Sequence, residues 1–175
     1  MDPSERRLLA RLADGDPQGF EAVYDLHGRD LYGYLLARTR RPHLAEDLLQ
    51  TVMLRLVRAR DRLREVRNLR AWLFTIARNE WRRSGARPAP ESEPLEEQEA
   101  PAAPDAADDG ALRRALERLA PERREVVGLK IHHGLTFAQI GEVLAIPPDT
   151  AASRYRRALA DLRRLLETTD ADVRP

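Results

Sequence analysis

Apolar residues recur at helical spacing along most of the chain, most clearly in AEDLLQTVMLRLVRARDRLREVRNLRAWLFTIARNEWRRS, Ala45 to Ser84. Leu44, Leu48, Val52 and Leu56 recur every fourth residue, with Ala45, Leu49, Met53 and Val57 one step behind. That spacing predicts a helix over Ala45–Arg60 with one buried stripe. Leu69, Trp72, Leu73, Ile76 and Ala77 repeat the pattern over Leu69–Ser84. Between the two, Asp61 to Asn68 reads as a polar loop anchored by Leu63.

The flanking segments follow the same logic. Leu8, Leu9 and Leu12 predict a short helix capped by Ser4 and stopped by Asp14-Gly15-Asp16-Pro17. A longer helix is predicted over Gln18–Arg41, with an inner face of Phe20, Val23, Tyr24, Leu31, Tyr34, Leu35 and Ala37 and a break near Gly28. Arg40 to His43 would turn into the next helix. Further on, Ala111–Leu119 and Pro121–His132 read as helices, the second with Val126, Val127, Leu129 and Ile131 in a core. Gly134 then closes one helix and Thr136 caps the next, whose inward residues are Phe137, Ile140, Val143 and Leu144. A turn at Ala145-Ile146-Pro147 leads into a last helix starting at Pro148 or Asp149, with Asp149 a candidate N-cap. There Ala151, Tyr155, Ala158, Leu159 and Leu162 form the predicted buried stripe, leaving Ser153, Arg156 and Arg157 outward. This is a helix-turn-helix layout.

Charge changes the picture. Net charge over 175 residues is only +1. Yet residues 1–87 hold 18 Arg and 12 acids, residues 88–110 hold 8 acids and no base, and residues 111–167 hold 11 bases and 7 acids. Two basic segments flank an acidic one, as suits contact with a polyanion. The acidic stretch carries five prolines and almost no large apolar residue, so it reads as a flexible linker. Extended, it would reach roughly 70 Å. On composition it is a soluble spacer. The organisation is therefore all-α: an N-terminal domain over 1–87, a linker over 88–110, a C-terminal helix-turn-helix domain over 111–167 and a frayed tail over 168–175.

Several classes are excluded. There is no cysteine, so disulfides, thiolate catalysis and cysteine zinc sites are out. His27, His43, His132 and His133 are scattered and read as ordinary surface or interface residues. No window approaches the roughly 20 apolar residues of a membrane span. The charged N-terminus lacks a signal-peptide core, so a cytoplasmic protein is expected. No nucleophile is paired with a histidine and no glycine loop could cradle phosphate. Neither catalysis nor a cofactor or metal is expected.

The runs AEDLLQ, RLVRARDR and NLRAWLFTIARN resemble the first DNA-binding domain of the bacterial sigma-70 family, and are most similar to its small extracytoplasmic-function (ECF) group. GLTFAQIGEVLAIPPDTAASRYRRALADLRRLL resembles the −35-reading domain of the same family. The resemblance implies a transcription initiation factor that binds core RNA polymerase and promoter DNA, and it implies an anti-sigma partner. It places polymerase binding on Asp47, Leu48 and Gln50, although Asp47 could instead serve the helix dipole. It places −10 contacts on Arg64, Val66, Arg67, Asn68, Arg78, Asn79, Arg82 and Arg83. A base flipped from the non-template strand would be captured by Arg64 to Asn68. Trp72 is expected in the core, whereas Trp81 could be buried or stack on a base. The −35 contacts fall on Thr150, Ala152, Ser153, Arg154, Arg156 and Arg157. Ala145 stands where the family has glycine, which predicts a strained turn, and Ala152 stands where lysine is frequent. Free of partners, such a protein is expected to be a monomer. The alternatives are a stand-alone helix-turn-helix regulator, which would read a palindrome as a dimer, and an interaction protein that binds no DNA.

Overall fold

The computed structural model describes residues 3–85 and 109–173. Among them every regular element is helical, and they form two compact units. Apart from Asp109 and Gly110, the expected linker lies outside the described residues.

The first unit comprises α1 (Pro3–Ala13), α2 (Pro17–Thr39), α3 (Pro42–Arg58) and α4 (Leu69–Arg83), with a 3₁₀ turn at Arg60–Glu65 between α3 and α4. Because α1 begins at Pro3, Ser4 lies inside its first turn and not before it. Gly15, at φ +75°, turns the chain into α2. Asp16 caps that helix: its Oδ1 accepts from the Gln18 N–H at 3.0 Å, and Arg11 Nε donates to its Oδ2 at 2.7 Å. The arginine hydrogen bond is the main cause that holds the Asp16 carboxyl below its ordinary pKa.

No break occurs at Gly28; α2 runs through it, with the glycine buried. The turn into α3 is shorter than predicted. Arg40 takes a left-handed conformation (φ 53°), and Pro42 already occupies the first turn of α3, where its missing N–H costs nothing. The expected polar loop is regular over its first half, since residues to Glu65 complete the 3₁₀ turn around the fully buried Leu63.

Val23, Leu31, Tyr34 and Leu35 of α2 pack with Leu48, Val52 and Leu56 of α3 and with Leu69, Leu73, Phe74 and Ala77 of α4, all buried. Tyr34 meets Phe74 edge to face, ring centroids 5.2 Å apart, an arrangement worth about 0.5–1.5 kcal/mol beyond area burial. Three predicted core positions of this unit are exposed: Tyr24 (54%), Val57 (44%) and Ala37; Trp72, like Ile76, Phe20 and Met53, is only half-buried. Phe74 was absent from the predicted stripe because it lies one position off that row.

The C-terminal helices are α5 (Asp109–Arg118), α6 (Pro121–Ile131), α7 (Phe137–Leu144) and α8 (Pro148–Val173). Ala115, Leu119, Val127, Ala158 and Leu162 make one buried cluster, with Leu116, Tyr155, Leu165 and Leu166 packed at its edge. Ile131 (57%) and Leu159 (42%) are exposed, contrary to the helical stripe assigned to them. The backbone of α8 runs to Val173, and the last two residues of the expected frayed tail lie outside the described residues.

Gly134 (φ +60°) ends α6. Thr136 and Gln139 form a reciprocal capping box at the start of α7. Thr136 Oγ1 accepts from the Gln139 N–H at 3.2 Å, and Gln139 Oε1 accepts from the Thr136 N–H at 2.8 Å. Between α7 and α8 the backbone closes tightly. The Ile146 N–H donates to the Gly141 carbonyl at 3.0 Å. A Cβ at position 141 would lie 2.7 Å from the Ile146 carbonyl oxygen. Ala145 is left-handed at φ +55°, in line with the strained turn that its replacement of the family's glycine implied. Asp149 is not the cap of α8. The helix starts at Pro148, and the Pro147 carbonyl accepts its first N–H groups, from Thr150 and Ala151.

Two outcomes follow for this turn. Ala145→Gly relieves a left-handed alanine and raises stability by about 0.5–1 kcal/mol. Gly141→Ala lowers it by about 1–3 kcal/mol, because the Ile146 backbone must move. Urea unfolding of the full chain, followed by circular dichroism, checks both.

His27 is partly buried, and burial, seconded by the nearby Arg70, lowers its pKa; Asp30 and Glu5 oppose the shift. The folded imidazole therefore binds its proton later than the unfolded one as pH falls. Stability contributed by neutral His27 is full above the ordinary value of 6.5 and is lost as pH drops through the lowered value. Thermal unfolding read by tryptophan fluorescence should show this acid-side loss, and His27→Gln should flatten it.

Candidate nucleic-acid and protein interfaces

Three surfaces gather the predicted residues. The first is a cleft of about 540 Å³ between the end of α3, the 3₁₀ turn and α4. Arg55, Arg58, Arg62 and Arg83 line it, with Asp61, Trp72, Ile76, Asn79 and Glu80. Its organising group is Glu80, a carboxylate only 8% exposed. Arg55 grips it with two nitrogens, Nε to Oε1 at 2.7 Å and Nη2 to Oε2 at 3.3 Å. Arg83 Nη1 adds a third contact, to Oε1 at 2.9 Å. A carboxylate taken from water needs such partners.

The half-buried Trp72 and Ile76 supply an apolar wall, the exposed Asn79 an amide, and the arginines cations. A nucleotide has a base with a π-face and a hydrogen-bonding edge, and a phosphate, and these three groups match it. The sequence pointed to Arg64–Asn68 for base capture, but the structure gives much of that stretch other work. Arg64 Nη2 pairs with Asp14 Oδ1 at 2.6 Å. Asn68 caps α4, its Oδ1 accepting from the Ala71 N–H at 2.9 Å. Val66 is half-buried and Arg67 exposed. Of the other predicted −10 residues, Asn79, Arg82 and Arg83 are exposed and Arg78 is half-buried. Arg55, Arg58, Arg62 and Glu80 were not picked out. Their signal was available in principle: α3 ends in arginines, and Glu80 interrupts the apolar side of α4.

Trp81 is half-buried, with Arg38 5.6 Å over its ring. The same guanidinium sits 3.5 Å over Tyr34. An indole already covered by a cation suits packing better than stacking on a base.

The second surface lies on α3. Asp47 and Gln50 are both exposed and one turn apart, whereas Leu48 is buried (7%) and belongs to the core. Since α3 starts at Pro42, Asp47 is more than a turn inside the helix, where the end charge of the dipole has faded. Helix stability thus does not account for it. Beside Gln50 opens a depression of about 560 Å³ lined by Tyr24, Glu46, Leu49, Met53, Leu54 and Val57. Leu54 is 56% exposed. An exposed apolar patch with Glu46 and Gln50 at its edge has the character of a protein-binding surface.

The third surface is α8. Arg156 and Arg157 are exposed; Thr150, Ala152, Ser153 and Arg154 are half-buried. Ala151 and Ala158 fix the opposite side in the core. Half-buried Tyr155 rests on Phe137, ring centroids 5.6 Å apart, which ties α8 to α7.

Comparison with known proteins gives a consistent result. The family described as Sigma-70 region 2 matches residues 23–87, and Sigma-70, region 4 matches residues 109–162. The chain is 34% identical over 173 residues to the RNA polymerase sigma factor CarQ of Myxococcus xanthus, covering 94% of this chain and 99% of that one. It is 34% identical over 155 residues to the ECF RNA polymerase sigma factor SigL of Mycobacterium tuberculosis, covering 83% and 88%. Among solved structures it is similar to CnrH in complex with the cytosolic domain of CnrY. That match has a TM-score of 0.70 and 26% identity, and covers 94% of this chain and 97% of that one. It is also similar to the sigma factor RpoE in complex with the anti-sigma factor NepR from Bartonella quintana. Here the TM-score is 0.65 and the identity 25%, with 85% and 96% covered.

Removing Glu80 should loosen the first unit. Because Arg55 and Arg83 still reach water, Glu80→Ala should cost about 1–3 kcal/mol, less than a fully buried pair. Arg83→Ala, at the exposed end, should cost under about 1 kcal/mol. Both tryptophans lie in this unit, so urea unfolding followed by their fluorescence measures the two directly.

Proposed function

This chain belongs to the ECF group of the sigma-70 family of RNA polymerase sigma factors, and we propose the residues through which it directs polymerase to promoters. The observation that carries the reading is the pairing of surfaces. One unit joins an arginine-lined cleft with an exposed apolar patch, and the other presents arginines on the second helix of a helix-turn-helix.

Asp47 and Gln50 dock on core polymerase, and the depression at Tyr24, Met53, Leu54 and Val57 extends that contact. The cleft takes an unpaired base of the −10 element. Trp72 and Ile76 face the ring, Asn79 reads its edge, and Arg58 and Arg62 hold the phosphates on either side. Arg67, Arg78, Arg82 and Arg83 add backbone contacts. Helix α8 reads the −35 element through Arg156 and Arg157, with Thr150, Ser153 and Arg154 at its flank. Ala152, where lysine is frequent, offers only a methyl group, which suits a thymine methyl and no phosphate. Residues 1–87 and 111–167 are thus two DNA-binding domains, and the acidic 88–110 spans between them.

The chain carries no catalytic step of its own; polymerase makes the bonds. It acts in the cytoplasm, as a monomer until partners arrive. No helix among the described residues is long and apolar enough to cross a membrane. The neighbours CnrH and RpoE were each solved with a partner, and an anti-sigma factor that covers the apolar patch is the corresponding partner here.

Co-elution with purified core polymerase tests the docking. An Asp47→Ala, Gln50→Ala pair should weaken binding roughly tenfold or more, while Arg156→Ala, Arg157→Ala leaves it intact and lowers the salt slope of promoter binding by about one per arginine lost. Wild-type protein that stays off core polymerase, or binds a palindrome as a dimer, would favour the stand-alone regulator.

A further inference from the structure

The match to Sigma-70 region 2 begins at residue 23, so α1 lies outside it. Nevertheless α1 and the turn that follows it hold both ends of the segment that frames the cleft. At one end Asp14, just past α1, pairs with Arg64 of the 3₁₀ turn. At the other, Glu5 Oε1 accepts from the backbone N–H of Leu69 at 2.8 Å. That N–H belongs to the first residue of α4, one of the four that no intrahelical carbonyl can satisfy. Asn68 already caps Ala71 two residues on. The start of α4 is therefore fixed twice, by its own N-cap and by a carboxylate from a helix 64 residues earlier. Leu9 and Leu12 of α1, buried like Leu63 and Leu69, hold α1 to the fold while Glu5 does this.

The geometry points to Glu5 as a positioning residue for promoter opening. The inference rests on the proposal that the cleft takes an unpaired −10 base. Trp72 stands one turn beyond Leu69, and residues 66–68 hang directly from it. The angle at which α4 begins sets where the indole wall and the loop stand relative to each other. Asn68 alone fixes the first turn only to its own preceding residue. Glu5 fixes it to α1, and a carboxylate at this helix end is also favoured by the helix dipole. Small displacements of a recognition wall have large effects on rate. The polymerase-docking residues lie on α3, away from the Glu5 contact. Loss of Glu5 should therefore separate opening from core binding.

Full-length protein with core polymerase is compared on a promoter carrying a fluorescent base analogue in the −10 element. Glu5→Ala should open it roughly tenfold more slowly, with affinity for core polymerase and for a −35 duplex within about twofold of wild type. Glu5→Asp keeps the charge but shortens the reach, and should show the same loss. Glu5→Gln, whose amide oxygen still accepts from Leu69, should recover most of the rate. Opening at the wild-type rate in Glu5→Ala and Glu5→Asp overturns the inference. So does core affinity falling in step with opening, or a glutamine no better than alanine. Trp72→Ala is the separate control: if it opens promoters normally, the cleft reading fails whatever Glu5 does.

Discussion

The first unit depends on a carboxylate buried among cations. Glu80 sits at the base of an arginine-lined cleft, 8% exposed, gripped by Arg55 from α3 and Arg83 from its own helix. Without it, the last turns of α3 and α4 would bring arginines together with nothing between them. With it, Arg55 and Arg83 are held in place by one shared carboxylate, which balances one of their two charges, while Arg58 and Arg62 make no ion pair among the described residues. The contact that fastens α3 to α4 is thus also the one that sets the field of the cleft. Stability and recognition share a residue, so few substitutions at this position can change one alone.

Helix α3 shows how one element can face two partners. Its first half carries Glu46 and Asp47 beside an apolar depression; its last turns carry Arg55 and Arg58 at the cleft. The basic end complements the negative end of the helix dipole. Asp47 gains nothing comparable, being too far from the start. Nearby, Leu54, Val57 and Tyr24 are also exposed, and exposed apolar surface of this kind has the character of a protein-docking face.

Much of this was legible in the sequence. The helices, the Thr136 cap and the Leu63 anchor follow from spacing and local chemistry, which act over a few residues, whereas the strain at Ala145 was legible only from the glycine that the family carries there. The errors have one physical source. Periodicity reports that a residue lies on an apolar face, but not whether the fold or a partner covers that face. Tyr24, Val57, Ile131 and Leu159 were all assigned to a core for that reason, and all are exposed. Trp72 erred likewise: an apolar position, but on the wall of a cleft. Contacts such as Arg55 with Glu80 or Glu5 with Leu69 pair residues far apart in the chain, and no local rule reaches them. The loop 61–68 took its binding role from the family resemblance; in the fold Asn68 also caps α4 and Arg64 pairs with Asp14.

The turn between α7 and α8 makes the complementary point about backbone. Only a glycine at 141 lets the Ile146 carbonyl approach as closely as it does. At 145, where glycine would relax the chain, the protein keeps alanine at φ +55°. The first position is set by a collision that any side chain would cause. The second carries a cost of roughly 1–2 kcal/mol that the fold tolerates. The tolerance is understandable from what surrounds it. The Ile146 N–H bonds to Gly141, the Pro147 carbonyl accepts from Thr150 and Ala151, and Tyr155 rests on Phe137. These contacts determine the turn from both sides, so Ala145 has no alternative conformation to relax into while α8 holds its arginines outward.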